Sequence, residues 1–317
     1  MSPPLTRLRA MDMCDILDQA VAVYRENFVV LLGVYAVGYL PFWLLVGSSA
    51  HFLSGALIRA IAYTGTSSAP EPEFLEALLG LMLLLLVVFA AVFIVEPVVT
   101  GAMARAVSEQ LLGRRTTIRA AYRALRGRVP ALVLSSLVRL IAVYGAYNVL
   151  SLLAFVAGLP APLLGIGGIT LVLVLHLAAL LAASLLFIYL AFLGQIIVIE
   201  QRGTADALTR SWRLVSGRLW RTSATAGFLV LLVVALTLAF QLPAFVALGL
   251  WGPLADTPEG AAVMTILVVI ILAITSLLAS PIMAVGSTVM YYDLRVRREG
   301  FDMAMMAAAV GESEAAA

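Results

Sequence analysis

Residues 168–199 read GITLVLVLHLAALLAASLLFIYLAFLGQIIVI, with no Asp, Glu or Arg among them and His176 as the one basic side chain. A hydrocarbon core of roughly 30 Å is crossed by about 20 helical residues, so this run is long enough to span a bilayer. Lipid offers backbone N–H and C=O groups no partner, so a spanning segment must satisfy them internally. The polar–apolar alternation of a barrel strand is absent, which leaves a helix. Five more runs share the character, at about 28–49, 76–98, 131–157, 222–248 and 261–290. The expected fold is therefore all-α, an integral membrane bundle of six transmembrane helices.

Composition agrees. Of 317 residues, 63% are hydrophobic and 12% charged, against roughly 45–50% and about 25% in soluble domains. A water-soluble protein of this size could not hide so much apolar surface, which excludes a soluble enzyme, a secreted disulfide scaffold and a disordered chain. The single cysteine, Cys14, excludes an internal disulfide and any Cys-based metal site. The first long apolar run starts near Phe28, too late and too long for a signal peptide, so it is expected to be retained. Residues 1–302 are read as one six-span domain and 303–317 as a cytoplasmic tail.

No Lys occurs, and eighteen of the twenty Arg fall on one side of the bundle. They precede span one (Arg7, Arg9, Arg25), link spans two and three (Arg105 to Arg128), link four and five (Arg202 to Arg221) and follow span six (Arg295, Arg297, Arg298). The opposite loops carry Arg59 with Glu71, Glu73, Glu76, Asp256 and Glu259. The positive-inside rule then places both termini in the cytoplasm. A net charge of +2 is too small to argue for nucleic acid.

Spans one, three and five are each preceded by a short aromatic- and Arg-bearing amphipathic stretch. These are Ile16–Phe28, Thr117–Val129 and Thr204–Trp220. With the hairpin after each, they suggest three repeats of surface helix, span and span. Such stretches either anchor the bundle at the interface or bind anionic headgroups, with Arg119, Arg123, Arg126, Arg210, Arg213, Arg218, Arg295, Arg297 and Arg298 as candidate headgroup or partner contacts. Glu96-Pro97 and Ser280-Pro281 place helix breakers late in spans two and six, where kinks are expected.

Ionisable groups at membrane depth are expensive and therefore informative. Glu96 lies about 13 Å along its helix from Arg105, and Arg139 about 16 Å from Arg128 on a span running the other way. The two are expected to share a depth and to face each other, unless each snorkels separately to the interface. Glu96, Arg139 and His176 make the candidate intramembrane polar site; a hydrogen bond to a neighbouring helix is the plainer role for His176, as for Asn148 and Gln241. His51 falls near the outer end of span one. Gly165-Ile166-Gly167-Gly168 reads as a turn. No His-Glu-x-x-His, Lys-bearing phosphate loop or Gly-x-Ser-x-Gly occurs, so neither catalytic residues nor a cofactor or metal site are expected.

The ending Tyr291-Tyr292-Asp293-Leu294-Arg295-Val296-Arg297-Arg298-Glu299-Gly300-Phe301-Asp302 resembles the closing motif of a bacterial family named after the membrane domain of glycerophosphoryl diester phosphodiesterases. Ile16-Leu17-Asp18, Tyr24-Arg25-Glu26-Asn27-Phe28 and Ala207–Val215 resemble it more weakly, so that the likeness spans most of residues 10–302. The resemblance implies a multi-span protein of the bacterial plasma membrane, here a stand-alone member without the separate soluble barrel that carries the phosphodiesterase. On a continuing helix Asp293–Arg297 and Arg295–Glu299 would be i,i+4 ion pairs, Gly300 would end the helix, and Tyr291 and Tyr292 would sit at headgroup depth.

Two functional classes stay open. One is a non-enzymatic scaffold or accessory subunit whose partners are the bilayer, its anionic headgroups, or a membrane or cytoplasmic protein. The other is a small-solute or lipid carrier or channel, with its path near Glu96 and Arg139. A hydrated cavity reaching Glu96 would favour the second.

Overall fold

The structure, a computed structural model, describes residues 10–63, 72–158, 165–250 and 257–300, together with Met303. Among these residues there is no strand. Six helical segments are long and apolar enough to cross a membrane: Phe28–Ser48, Leu78–Leu111, Val129–Gly158, Ile166–Ile199, Leu219–Leu250 and Val263–Glu299. The chain is an all-α, six-span bundle, as its hydropathy requires.

The helices are α1 (Met13–Glu26), α2 (Phe28–Tyr63), α3 (Pro72–Ala90), α4 (Glu96–Leu111), α5 (Ile118–Arg123), α6 (Val129–Gly158), α7 (Ile166–Tyr189), α8 (Leu193–Ile199), α9 (Thr204–Val215), α10 (Leu219–Leu250) and α11 (Pro258–Glu299). Local chemistry sets several ends. Asp12 and Asp15 form a capping box at α1, and the Thr117 hydroxyl accepts from the Ala120 N–H at α5, 3.2 Å. Pro72 opens α3, where a missing N–H costs nothing. Gly300 closes α11 at φ 60°, the left-handed conformation that favours glycine.

Helix ends and apolar ends differ where hydropathy and capping disagree. α2 continues past the expected boundary at 49 to Tyr63, and α11 past 290 to Glu299. Apolarity marks the part that meets lipid, whereas a helix stops only at a cap or a breaker. The expected break at Pro97 takes the form of a five-residue π turn, Ala91–Val95, after which Pro97 enters the first turn of α4. The wider turn absorbs the proline's missing N–H. α11 stays helical through Pro281.

The packed core lies toward the Arg-rich end. Its largest fully buried side chains include Ile16, Leu31, Met103, Leu111, Leu125, Leu132, Phe192, Ile196, Tyr291 and Tyr292. α4, α8 and the end of α11 form its centre, with α1, α5 and α9 packed around them. α9 buries Ala207, Ser211, Leu214 and Val215, the spacing of one helical face. Farther from this layer the hairpins meet lipid instead. Only 6% to 18% of each span's most apolar window is buried within the protein, and residues such as Ile141, Leu152, Phe155, Leu173 and Leu181 lie open.

Tyr291 and Tyr292 are enclosed by the protein at the end of α11. They are 0% and 2% exposed, because the end of α11 turns into the packed layer rather than along its rim. Tyr291 donates to Glu200 Oε1, 2.7 Å, and the Tyr292 and Ser108 hydroxyls share a 2.7 Å bond.

Candidate functional site

Two polar clusters stand out, one within the spans and one at the Arg-rich end. In the first, the π turn and Pro97 direct Glu96 from the start of α4 toward α6. Arg139 Nη2 donates to Glu96 Oε2 at 3.3 Å. Thr100, one turn along α4, donates to Glu96 Oε1 at 3.3 Å. The Arg139 guanidinium also lies 5.5 Å from the centre of the Phe187 ring, a cation–π distance. The two charged side chains keep 22% and 35% of their surface accessible, so the pair is neither sealed nor free.

Beside the pair lies a cavity of about 20 Å³, lined by Glu96, Pro97, Thr100, Leu132, Ser135, Ser136, Arg139, Ala191, Gly194 and Gln195. Ser136 donates to the carbonyl of Phe93, inside the π turn, at 3.3 Å. Gln195 is 2% exposed; its Nε2 donates to Ser287 on α11 at 3.0 Å, and its Oε1 has no protein partner. The space is on the scale of a single water molecule.

The other sequence candidates for interhelical polar contacts behave differently. His176 stands apart from Glu96, its ring Nδ1 2.9 Å from the Val172 carbonyl of its own helix. Asn148 likewise donates within its own helix, to the Tyr144 carbonyl at 2.7 Å. The expectation of a bond to a neighbouring helix gives way in both cases to the i−4 carbonyl, which is always within reach. His51 falls within α2.

The second cluster is built on two carboxylates. Asp293, on α11, accepts from the Met11 N–H at 2.8 Å and from Arg297 Nε at 2.9 Å, and it pairs with Arg221 at 3.4 Å. Arg297 Nη2 in turn donates to the Met11 carbonyl at 2.7 Å, and Arg221 also reaches that oxygen. The segment before α1 is thereby tied to the ends of α10 and α11 on the same side. Glu200, between α8 and α9, accepts from Arg202 at 2.8 Å and Arg210 at 3.0 Å, besides Tyr291. Arg210 continues to Glu299 at 2.5 Å, and Arg295 pairs with Glu299 at 3.3 Å. Both i,i+4 pairs of the closing motif are thus formed.

These pairs revise the list of candidate headgroup contacts. Arg210, Arg295 and Arg297 are committed to carboxylates inside the protein: Arg297 to Asp293 and Arg295 to Glu299 within α11, and Arg210 to Glu200 and, far along the chain, to Glu299. Arg119, Arg123, Arg126, Arg213 and Arg298 remain exposed, and Arg218 is half-buried. Gln195, Ser135, Ser136, Glu200 and Arg221 were not singled out from sequence. Gln195 carried a legible signal, a lone amide inside an apolar run; the serines carried none. Among the described residues no group of three or more His, Cys, Asp and Glu side chains could hold a metal ion.

Six apolar helices packed at one end, with an ion pair among the spans, define a multi-pass α-helical membrane protein. Residues 163–305 match the family described as the membrane domain of glycerophosphoryl diester phosphodiesterase, which bears out the resemblance over the last three spans. The match is to the membrane domain alone, and the weaker likeness at Ile16–Phe28 lies outside it. No curated protein and no solved structure matches the chain.

Proposed function

We propose that this chain is a non-enzymatic scaffold or accessory subunit of the bacterial plasma membrane, and that its Arg-rich end faces the cytoplasm and gathers anionic lipid headgroups. The observation that carries the reading is the division among its arginines. One set is spent in ion pairs inside the protein, while Arg119, Arg123, Arg126, Arg213 and Arg298 are exposed. A basic side chain near an anionic surface contributes about 1 kcal/mol. A cavity of about 20 Å³ beside Glu96 argues against a solute path there.

Native mass spectrometry from nanodiscs holding equal phosphatidylglycerol and phosphatidylcholine tests this. Retention of phosphatidylglycerol is expected, with loss of that preference in the Arg119→Gln, Arg123→Gln, Arg126→Gln triple variant. A protein companion at fixed stoichiometry would identify what the scaffold holds. Equal retention of both lipids, together with a small molecule lost on Glu96→Gln, would overturn the reading in favour of a carrier.

A further inference from the structure

We infer that the cavity beside the π turn is a binding site for one water molecule, held between the Gln195 side chain and the Glu96–Arg139 pair. Size comes first. About 20 Å³ accommodates one water, which needs roughly 10–15 Å³. Charge comes second. Glu96 and Arg139 sum to zero, so a bare cation would meet the guanidinium and a bare anion the carboxylate. A small neutral dipole suits both.

The third observation is Gln195. It is 2% exposed, lines the cavity, and has one end of its amide satisfied by Ser287 while the other has no protein partner. Exchanging the amide oxygen and nitrogen leaves the same situation, since a buried polar end would still lack a partner. Buried polar groups in folded proteins are nearly always bonded, to water when not to protein. A water here donates one hydrogen to Gln195 Oε1 and the other to the Glu96 carboxylate, and accepts from Arg139. That is the usual complement of about three bonds for an internal water.

The consequence is a water-mediated link from the Glu96–Arg139 pair to Gln195. Glu96 on α4 and Arg139 on α6 are joined through the water to Gln195 on α8, and through Ser287 to α11. The site sits where the π turn has already disturbed the regular helix. It stands independently of the lipid-gathering reading.

Two measurements decide it. A cryo-electron microscopy map of the unmodified protein in nanodiscs, fine enough to show waters, should contain one peak within hydrogen-bonding distance of both the Gln195 amide and the Glu96 carboxylate. Side chains closed over the space, or a peak that does not touch Gln195, would overturn the inference. A double-mutant cycle on Glu96→Gln and Gln195→Met should depart from additivity by about threefold or more in the unfolding equilibrium constant. Strict additivity would also overturn it. Should Gln195→Met not fold, the map of the unmodified protein decides alone.

Discussion

Replacing Glu96 by Gln leaves the Arg139 guanidinium at membrane depth without its carboxylate. At 3.3 Å and an effective dielectric of about 20, the direct attraction is about 5 kcal/mol. Most of that is offset by the desolvation and ordering of both side chains, and the partial exposure of each (22% and 35%) screens the remainder. A coupling of about 1–2 kcal/mol is left, near the upper end for polar pairs between membrane helices. The single variants should be unequal. Glu96→Gln strands a guanidinium with no carboxylate, whereas Arg139→Leu leaves a carboxylate that Thr100 still hydrogen-bonds. The double variant should therefore be more stable than the sum of the two single losses allows. Reversible unfolding in mixed micelles, followed by circular dichroism for all four proteins, measures the coupling. Strict additivity would refute the reasoning and return both side chains to independent snorkelling.

Three further outcomes follow from the packed layer. Asp293→Asn removes the charge that Arg221 and Arg297 face, from a side chain only 2% exposed, and should cost about 3 kcal/mol; hydrogen exchange at the Met11 amide should accelerate, and unchanged exchange would remove the tie. Gly38→Ala would drive a methyl into Val99 Cγ2 and to 3.0 Å from the Tyr122 hydroxyl, costing about 2 kcal/mol; adding Val99→Ala should recover most of the lost thermal stability, and no recovery would place the cause elsewhere. Tyr24 and Tyr122 donate to the Leu278 and Val34 carbonyls, and burial pushes both phenols up to about 12. Their folded values lie above the unfolded one near 10, so their contribution is complete below about pH 10 and is lost as pH rises toward about 12. Unfolding midpoints across that window should fall less steeply for Tyr24→Phe and Tyr122→Phe.

The spans were legible because lipid imposes a single rule on the chain. A segment such as 168–199 has no arrangement in hydrocarbon except a helix, so its number and class follow from composition without knowledge of any neighbour. Glu96 and Arg139 were legible for a related reason: two charges in apolar runs, counted from the nearest interface on antiparallel spans, come out at one depth. The ends of α2 and α11 were not, since hydropathy reports lipid contact and says nothing about where a cap will stop the helix.

Depth alone does not say which neighbour a side chain meets. That Arg297 also reaches the Met11 carbonyl, or that Arg210 joins Glu200 to Glu299, depends on how α1, α9 and the end of α11 come together. The same closing motif that reads as an exposed, charged helix end is in fact half interior, with Tyr291 and Tyr292 fully enclosed. Gln195 could be noticed as an isolated amide, but its shared cavity with Ser135 and Glu96 arises only when α4, α6 and α8 converge. Hydropathy and charge settle that the spans are helices in lipid and that the arginines fall in loops on one side, because each depends on one segment and its medium. That Arg210 meets Glu299 and Arg221 meets Asp293 follows only once the helices pack, because each of these pairs needs two segments distant along the chain to arrive at one place.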